Sequence, residues 1–289
     1  MMGGEHMHPV SELKKILIRH LPRRHFSSLL LRWSRLHLPG PVNRLQNTAF
    51  ARLARIDVSE AQWQLEHYPT LNAFFTRRLQ ADARPIDPGP GSIVFPSDGK
   101  MGAFGPIRGD TLMQAKGIDY TLNQLLLDPE LAGRFSDGRF FTIYLSPRDY
   151  HRVHFPVSGT VSRYRHIPGH SGTSYPVGKF CTQEIDKLYC RNERLVTLLE
   201  TPQGPVAVVM IAACGVGNMT LSYLSTHFPQ KTRLTDHGQD VQVPVNKGDE
   251  CGIFHMGSTV ILLFGKGPWD FAPLDEGRIV RMGRPMGLV

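Results

Sequence analysis

The sequence predicts an α+β fold in which N-terminal amphipathic helices pack on a β-rich core. Three observations predict it. Apolar residues at helical spacing crowd the first 60 positions, short β-branched and aromatic runs dominate after residue 92, and the turn-rich stretch Asp82 to Ser92 lies between. The expected division is therefore a helical region, 1–81, and a β-rich core, 82–289. With 289 residues, 41% apolar and 20% charged, the chain falls outside the disordered, collagenous and disulfide-scaffold compositions and can bury a sizeable core.

In chain order, Ser11 caps a run in which Leu13, Ile16, Leu17 and Leu21 keep helical spacing until Pro22. Phe26, Leu29, Leu30, Trp33 and Leu36 repeat the pattern up to Pro39-Gly40-Pro41, and Val42, Leu45, Ala49 and Leu53 repeat it again. Ser59-x-x-Gln62 reads as a capping box opening a helix that ends before Pro69. Leu71 to Leu79 is a further amphipathic run. Beyond the boundary, Phe140–Leu145, Thr160–Tyr164, Leu195–Leu199, Val206–Ala212, Met219–Leu224 and Thr259–Phe264 read as strands, and only Leu122–Leu131 as helix. There is no strand–helix alternation of the βαβ kind, no internal repeat and no low-complexity tract.

Residues 1–60 carry ten Lys and Arg against four Asp and Glu, which is +6 of the chain's net +8. Basic helices with Trp, Phe and Leu on the opposite face have the composition of segments that lie in the plane of an anionic bilayer. Two alternatives stand beside that reading: helices that bury their apolar faces on the core, and a nucleic-acid surface. The second lacks interleaved aromatics and any binding motif, so no nucleic acid is expected. The four cysteines (181, 190, 214 and 251) form no Cys-x-x-Cys pair, and a reducing compartment is expected. The longest apolar run, Val206 to Val216, has 11 residues, short of the roughly 20 a spanning helix needs. Leu13–Leu21 is broken by Lys14, Lys15, Arg19 and His20 and does not read as a secretory signal, so a cytoplasmic location is expected.

Reactive side chains concentrate in three turn-like places. In Phe95-Pro-Ser-Asp-Gly-Lys100 an Asp-Gly turn follows a short apolar strand. In Ser146-Pro-Arg-Asp-Tyr-His-Arg-Val-His-Phe-Pro156, Ser146 and Pro147 suit the start of a helical turn. His151 and His154 would face opposite ways in a regular strand, whereas a bend would bring both to one pocket. His-x-x-His has no third ligand at recognisable spacing, so no metal is expected. In Gly252-Ile-Phe-His-Met-Gly257-Ser258-Thr259 a small-residue break parts two apolar runs, which reads either as a nucleophile beside an unobstructed carbonyl or as a β-bulge. Asp, His and Ser in this order can form a nucleophile-activating triad, though residue types alone do not join them.

A resemblance does join them. Tyr68-Pro-Thr-Leu-Asn-Ala-Phe-Phe-Thr-Arg-Arg-Leu79, Arg84-Pro-Ile-Asp87, Pro96-Ser-Asp-Gly99, Gln114-Ala-Lys-Gly117, Tyr144-Leu-Ser-Pro-Arg-Asp-Tyr-His-Arg-Val-His154, Arg191-Asn-Glu-Arg194, Lys247-Gly-Asp-Glu-Cys-Gly-Ile-Phe254 and Met256-Gly-Ser-Thr259 resemble, in order and spacing, the phosphatidylserine decarboxylase family. The resemblance implies a proenzyme in which Asp98, His154 and Ser258 form a processing triad that breaks the Gly257–Ser258 bond. The products would be a β chain, 1–257, and an α chain, 258–289, whose Ser258 becomes a pyruvoyl group. It implies decarboxylation of phosphatidylserine to phosphatidylethanolamine through a Schiff base, with His151 the first choice as proton donor to the substrate carbon. It also implies a homodimer of processed protomers held peripherally at the cytoplasmic face of the membrane.

The chain departs from the family's pattern at Met256, where Leu is usual, and at His170-Ser-Gly-Thr-Ser-Tyr-Pro-Val177, where an acidic-Leu-aromatic run is usual and this chain is a few residues longer. The alternatives are a pyruvoyl decarboxylase of a related phosphoserine lipid and a catalytically silent, basic membrane-binding homologue.

Overall fold

The computed structural model describes residues 23–115, 117–170, 174–214, 219–224, 226–227 and 237–289. The helix predicted over Leu13–Leu21 lies outside them. Two helices lead the described chain, α1 (Arg23–Ser34) and α2 (Gly40–Ala54). Pro41 sits in the first turn of α2, where its missing N–H costs nothing, and Arg55 ends the helix in the left-handed conformation.

Both helices pack the opposite way from a core-seeking amphipathic helix. The residues that α2 buries are Asn43, Asn47 and Ala51, whereas Val42, Leu45, Ala49 and Leu53 are exposed, Leu45 at 70% and Leu53 at 85%. α1 buries Ser27, Leu31 and Ser34 and leaves Leu29, Trp33 and, just beyond it, Leu36 exposed. A polar face can pack only if its groups find partners. Asn43 Nδ2 donates to the Tyr68 carbonyl (2.6 Å), and Asn47 Nδ2 donates to the carbonyls of Tyr68 (3.3 Å) and Leu65 (3.4 Å).

The helix expected from Ser59-x-x-Gln62 does not form. Two 3-10 turns take its place, Val58–Glu60 and Leu65–His67. Asp57 is the cap of the first, accepting from the Ser59 N–H (3.0 Å) and hydroxyl (2.6 Å), so Ser59 donates instead of capping. The run from Leu71 gives only α3 (Leu71–Phe75), capped by Thr70 Oγ1 on the Ala73 N–H (3.0 Å). Leu79 has by then turned away to bridge Ala61. Tyr68, Leu71 and Phe74 join Ala51 and Ile56 in a small core of their own.

The chain continues through β1 (Ser92–Val94), β2 (Gly99–Pro106), β3 (Thr111–Ala115), β4 (Ile118–Thr121), α4 (Leu122–Leu126), α5 (Pro129–Gly133), β5 (Arg139–Leu145), β6 (Arg152–His154) and β7 (Gly159–Ile167). After α6 (Lys179–Glu184) and α7 (Leu188–Arg191) come β8 (Arg194–Thr201), β9 (Gly204–Ala212), β10 (Met219–Leu221), β11 (Thr226–His227), β12 (His237–Val245) and β13 (Glu250–Phe254). β14 (Ser258–Phe264), β15 (Asp270–Phe271), β16 (Ile279–Val280) and β17 (Pro285–Leu288) complete it.

The helical reading of Leu122–Leu131 resolves into two helices, because Leu127 is left-handed and Asp128-Pro129 starts afresh, with Asp128 Oδ1 capping the Leu131 N–H (3.0 Å). α6 and α7, six and four residues long, are too short to show a helical period, which is why the sequence reading missed them. The strand read as Met219–Leu224 ends at Leu221 and passes into a 3-10 turn.

The main sheet is antiparallel with order β12-β7-β8-β9-β14-β5-β2-β16. β14 lies near its middle, between β5 and β9, and is buried at every position. Alternation sends Val260, Leu262 and Phe264 into one core and Ile261 and Leu263 into another. Both faces are covered, so the strand reads as an unbroken apolar run. A second sheet, β11-β10-β13-β6, contributes Val153, Phe254, Met219 and Leu221 to the first core, and β13 runs through His255-Met256-Gly257 directly into β14.

Candidate active site

Ser258 is the first residue of β14, in register with Leu145 of β5 and Ala212 of β9. It lies on the same face as Val260, between two apolar neighbours, and is 1% exposed with no hydrogen-bond partner for its Oγ. Gly257, just before it, has φ of 35°, in the left-handed region where a side chain is disfavoured. The turn therefore needs glycine at the residue whose carbonyl precedes the serine nitrogen.

His154 ends β6, facing Glu250 across to β13, and its backbone N–H donates to the Pro96 carbonyl (2.7 Å). Its Nδ1 is 2.8 Å from the Gly248 carbonyl. A carbonyl only accepts, so Nδ1 carries the proton and Nε2 presents a lone pair. That Nε2 is buried and without a partner. His151 repeats the arrangement: Nδ1 lies 2.8 Å from the Asp149 carbonyl, Nε2 is unpartnered, and the ring packs on Phe75 at 4.0 Å between centroids. The helical turn expected at Ser146-Pro147 is a tight turn held by Asp149, whose Oδ2 accepts from the Ser146 N–H (2.7 Å) and hydroxyl (2.6 Å).

Asp98 is 5% exposed and precedes Gly99, a position where a Cβ would come within 2.6 Å of the Tyr144 carbonyl. Its Oδ1 accepts from the Met282 N–H (2.9 Å) and from Arg84 Nε (2.8 Å), and its Oδ2 from the Arg84 guanidinium at 2.6 Å. Arg84 also bonds both carboxylate oxygens of Glu60, at 3.0 and 2.7 Å. Burial lowers the Arg84 pKa, but the hydrogen bonds to Asp98 and Glu60 outweigh it, and the net shift is upward. The backbone bond from His154 to Pro96 brings His154 beside the Asp98 turn, Ser258 starts the strand next to Leu145, and no hydrogen bond joins the side chains of Asp98, His154 and Ser258. The His154 tautomer is set by Gly248, and the Asp98 carboxylate by Arg84.

Sequence reasoning assigned no role to Arg84, Glu250 or Gly248. Each lies in a segment singled out by its motif, but only the fold shows which charges meet. Glu250 is held by Arg152 (2.7 Å) and by the Ser222 hydroxyl (2.5 Å), beside His154. Among the described residues no group of His, Cys, Asp and Glu is arranged to hold a metal ion.

Burial lowers the pKa of both histidines, His151 to about 3. Both are neutral near pH 7. An unfolded histidine gains its proton near pH 6.5, whereas folded His151 resists until about pH 3. The unfolded state therefore binds more protons between these values, and stability is lost as pH falls through that window, by about 1.4 kcal/mol per pH unit for this group. Urea midpoints of the protein should drop from pH 7 to pH 4, and the His151→Phe variant should show a shallower slope. An equal slope in the variant would remove His151 from the account.

Fold and site together define an α+β protein with a buried, unpartnered serine hydroxyl, led by a glycine turn, at the start of a central strand, and two buried histidines that each present an unpartnered Nε2. The chain belongs to the phosphatidylserine decarboxylase family, whose model matches residues 71–288. It is 41% identical over 277 residues to the phosphatidylserine decarboxylase proenzyme of Myxococcus xanthus (strain DK1622), covering 94% of this chain and 97% of the relative. The proenzyme of Anaeromyxobacter sp. (strain K) is also 41% identical, over 275 residues, with 93% and 96% covered. That of Alcanivorax borkumensis is 41% identical over 244 residues, with 82% and 83% covered.

Proposed function

We propose that this chain is a proenzyme that cleaves itself between Gly257 and Ser258 and then decarboxylates phosphatidylserine to phosphatidylethanolamine. The observation that carries this is the buried, unpartnered Ser258 hydroxyl behind a left-handed Gly257, in a family whose relatives are named proenzymes.

Cleavage begins when the Ser258 hydroxyl gives its proton to His154 Nε2 and Oγ attacks the Gly257 carbonyl carbon. The C–O bond forms, His154 passes the proton to the Ser258 nitrogen, and the Gly257–Ser258 C–N bond breaks, leaving an ester and a free amine. Loss of the Ser258 α-proton then expels the Gly257 carboxylate, and the resulting dehydroalanine takes up water and releases ammonia to become pyruvoyl. Gly248 holds the imidazole in the tautomer this needs, and Asp98 adds a negative charge that favours the imidazolium.

The residues fit a pyruvoyl group at position 258, which supplies the electron sink for the carbanion left by CO2. His151 serves proton transfer. Its Nδ1–H is committed to Asp149 and its Nε2 is bare at neutral pH, so it gives a proton to the substrate carbon only after taking one. The substrate ammonium, which must shed a proton to react, is a suitable source.

The outward apolar stripe of α1 and α2, flanked by Arg32, Arg44, Arg52 and Arg55, supports attachment to an anionic membrane surface. Among the described residues no helix is long and apolar enough to cross a membrane. The cytoplasmic face and a homodimer of processed protomers complete the proposal. On vesicles containing phosphatidylserine the protein should form phosphatidylethanolamine. The Leu45→Ser/Leu53→Ser variant should cleave itself and melt as the parent does, yet bind and turn over vesicles at least about tenfold less well. No phosphatidylethanolamine from the parent would overturn the activity, and unchanged vesicle binding by the variant would overturn the membrane face.

A further inference from the structure

We infer that the buried guanidinium of Arg77 is the counter-ion of the carboxylate that self-cleavage creates at Gly257. This rests on the self-cleavage proposed above and extends it to the fate of the cut end.

Arg77 is 4% exposed. Its Nη2 donates to the Arg148 carbonyl (3.1 Å), whereas Nε and Nη1 are buried without partners, and among the described residues it forms no ion pair. Other buried guanidiniums of this fold are satisfied. Arg194, 1% exposed, donates to the carbonyls of Gln124, Leu125, Cys190 and Asn192 at 2.6 to 3.1 Å, and Arg84 binds the carboxylates of Asp98 and Glu60. Burial lowers the Arg77 pKa, while that of Arg84 is shifted upward by its carboxylates. A guanidinium keeps its charge at working pH, so the uncleaved chain holds an uncompensated cation in its interior, which is costly until an anion joins it.

Nε and Nη1 are closed to solvent, so an anion made inside the protein reaches them more directly than one from solution. Self-cleavage makes one, because elimination of the ester turns an uncharged Gly257 carbonyl into a free carboxylate. The position fits. Asn72 Nδ2 of α3 lies 3.2 Å from His255 Nδ1, two residues before the cut end. The Phe75 ring packs on His151, whose carbonyl accepts from the Phe254 N–H (3.0 Å), and Arg152 Nε donates to the Thr76 carbonyl (3.0 Å). The stretch from Asn72 to Arg77 thus lies along β6 and the exit of β13. At its far end the guanidinium is anchored at Arg148, in the turn that leaves β5 after Leu145, the register partner of Ser258.

Reach is sufficient. Helical bonds run past α3, from the Thr76 N–H to the Asn72 carbonyl and from the Arg77 N–H to the Phe74 carbonyl, so Asn72 and Arg77 are about 7–8 Å apart along the axis. The two residues from His255 to Gly257 span about 7 Å when extended. Residues 255–257 are half-buried, and once the bond to Ser258 is broken their end is tethered on one side only. Pairing with Arg77 favours the elimination that expels the carboxylate, and it draws the cut end away from position 258, where the substrate amine has to reach the new carbonyl. The substrate carboxylate is a poorer partner, since a guanidinium would hold the charge that must leave as CO2 and so stabilise the ground state.

Four full-length chains test this. Ser258→Ala and Ser258→Ala/Arg77→Met stay whole, so Gly257 carries no charge; the parent and Arg77→Met are taken after self-cleavage. Arg77→Met should change the melting temperature of the whole chain little or raise it, because an unpaired cation is removed, and should lower that of the cleaved protein by about 5 °C or more, because a carboxylate is stranded. Arg77→Lys keeps the charge and should recover part of the loss. Elimination should slow in Arg77→Met, and material arrested there is an ester that hydroxylamine splits at Gly257. Equal shifts in both backgrounds would overturn the inference, as would an arrested Arg77→Met chain that resists hydroxylamine, since the guanidinium would then act before any carboxylate exists. A raised KM on phosphatidylserine vesicles with unchanged melting of the cleaved protein would give Arg77 to a substrate oxyanion and overturn it too. A parent that stays whole would overturn self-cleavage and this inference together, whereas a parent that cleaves while cleaved Arg77→Met melts alike would remove the Arg77 pairing alone.

Discussion

Replacing Ser258 with alanine should leave one chain of 289 residues where the parent yields two. Intact mass spectrometry of the parent should show a C-terminal fragment of residues 258–289 that is lighter by one ammonia than hydrolysis of the Gly257–Ser258 bond would give. The effect is all-or-none, because alanine has no Oγ to form the ester and no other hydroxyl follows a left-handed glycine there. The Ser258 hydroxyl makes no hydrogen bond and sits between Leu145 and Ala212, so the alanine chain should also fold at least as well as the parent. Failure to cleave would then reflect lost chemistry, separable from lost structure. Ser258→Cys retains a nucleophile and should cleave at a different rate, whereas His154→Asn should slow cleavage strongly by removing the base. A parental chain that stays whole, or a fragment with the mass of simple hydrolysis, would overturn the pyruvoyl proposal.

How much of this was legible in the sequence depends on how local each signal is. β5, β8, β9 and β14 were readable because a covered strand is a run of β-branched and aromatic residues that states its own boundaries. Ser258 and Gly257 were readable as a small-residue break between two such runs. α1 and α2 were readable as helices, yet their orientation was not. Periodicity marks an apolar stripe at Val42, Leu45, Ala49 and Leu53 without saying whether protein or solvent faces it. The answer lies in Asn43 and Asn47, whose partners are carbonyls 18 to 25 positions away. The Ser59 capping box failed for a related reason, since Asp57, two residues earlier, accepts the Ser59 N–H that Gln62 would have reached and also takes the Ser59 hydroxyl as a donor. The site shows the same limit. Asp98 and His154 could be paired on paper through the family pattern, but Arg84 on one side and Gly248 on the other take up the very atoms that such a pairing would use. Those contacts span 14 and 94 positions, beyond the reach of any local pattern.

The Arg84 contact carries the second large prediction. Its side chain is 7% exposed and that of Asp98 is 8% exposed, so the pair is paid for largely by its own geometry: three hydrogen bonds of 2.6 to 3.0 Å, with Glu60 on the outer edge. Arg84→Met removes the cation and leaves a buried carboxylate with the Met282 N–H as its remaining donor. Breaking one side of a buried pair costs about 3–5 kcal/mol, a large share of a domain's stability. Arg84→Lys should recover only part of this, because an ammonium cannot serve Asp98 and Glu60 together as a planar guanidinium does. If the cost is an uncompensated charge, Asp98→Asn in the Arg84→Met background should restore stability, and the double-mutant cycle should give a large coupling energy. The acid side adds a second readout. The Arg84 hydrogen bond holds the Glu60 carboxyl below its usual range, so Glu60 contributes stability above its unfolded pKa that is lost as pH falls through the folded one. Arg84→Met should flatten that part of the profile. Self-cleavage should slow as well, since Asp98 would no longer be fixed relative to His154. Unfolding midpoints and cleavage rates both unchanged in Arg84→Met would mean that Asp98 needs no such partner, and the guanidinium would then have no part in shaping the site.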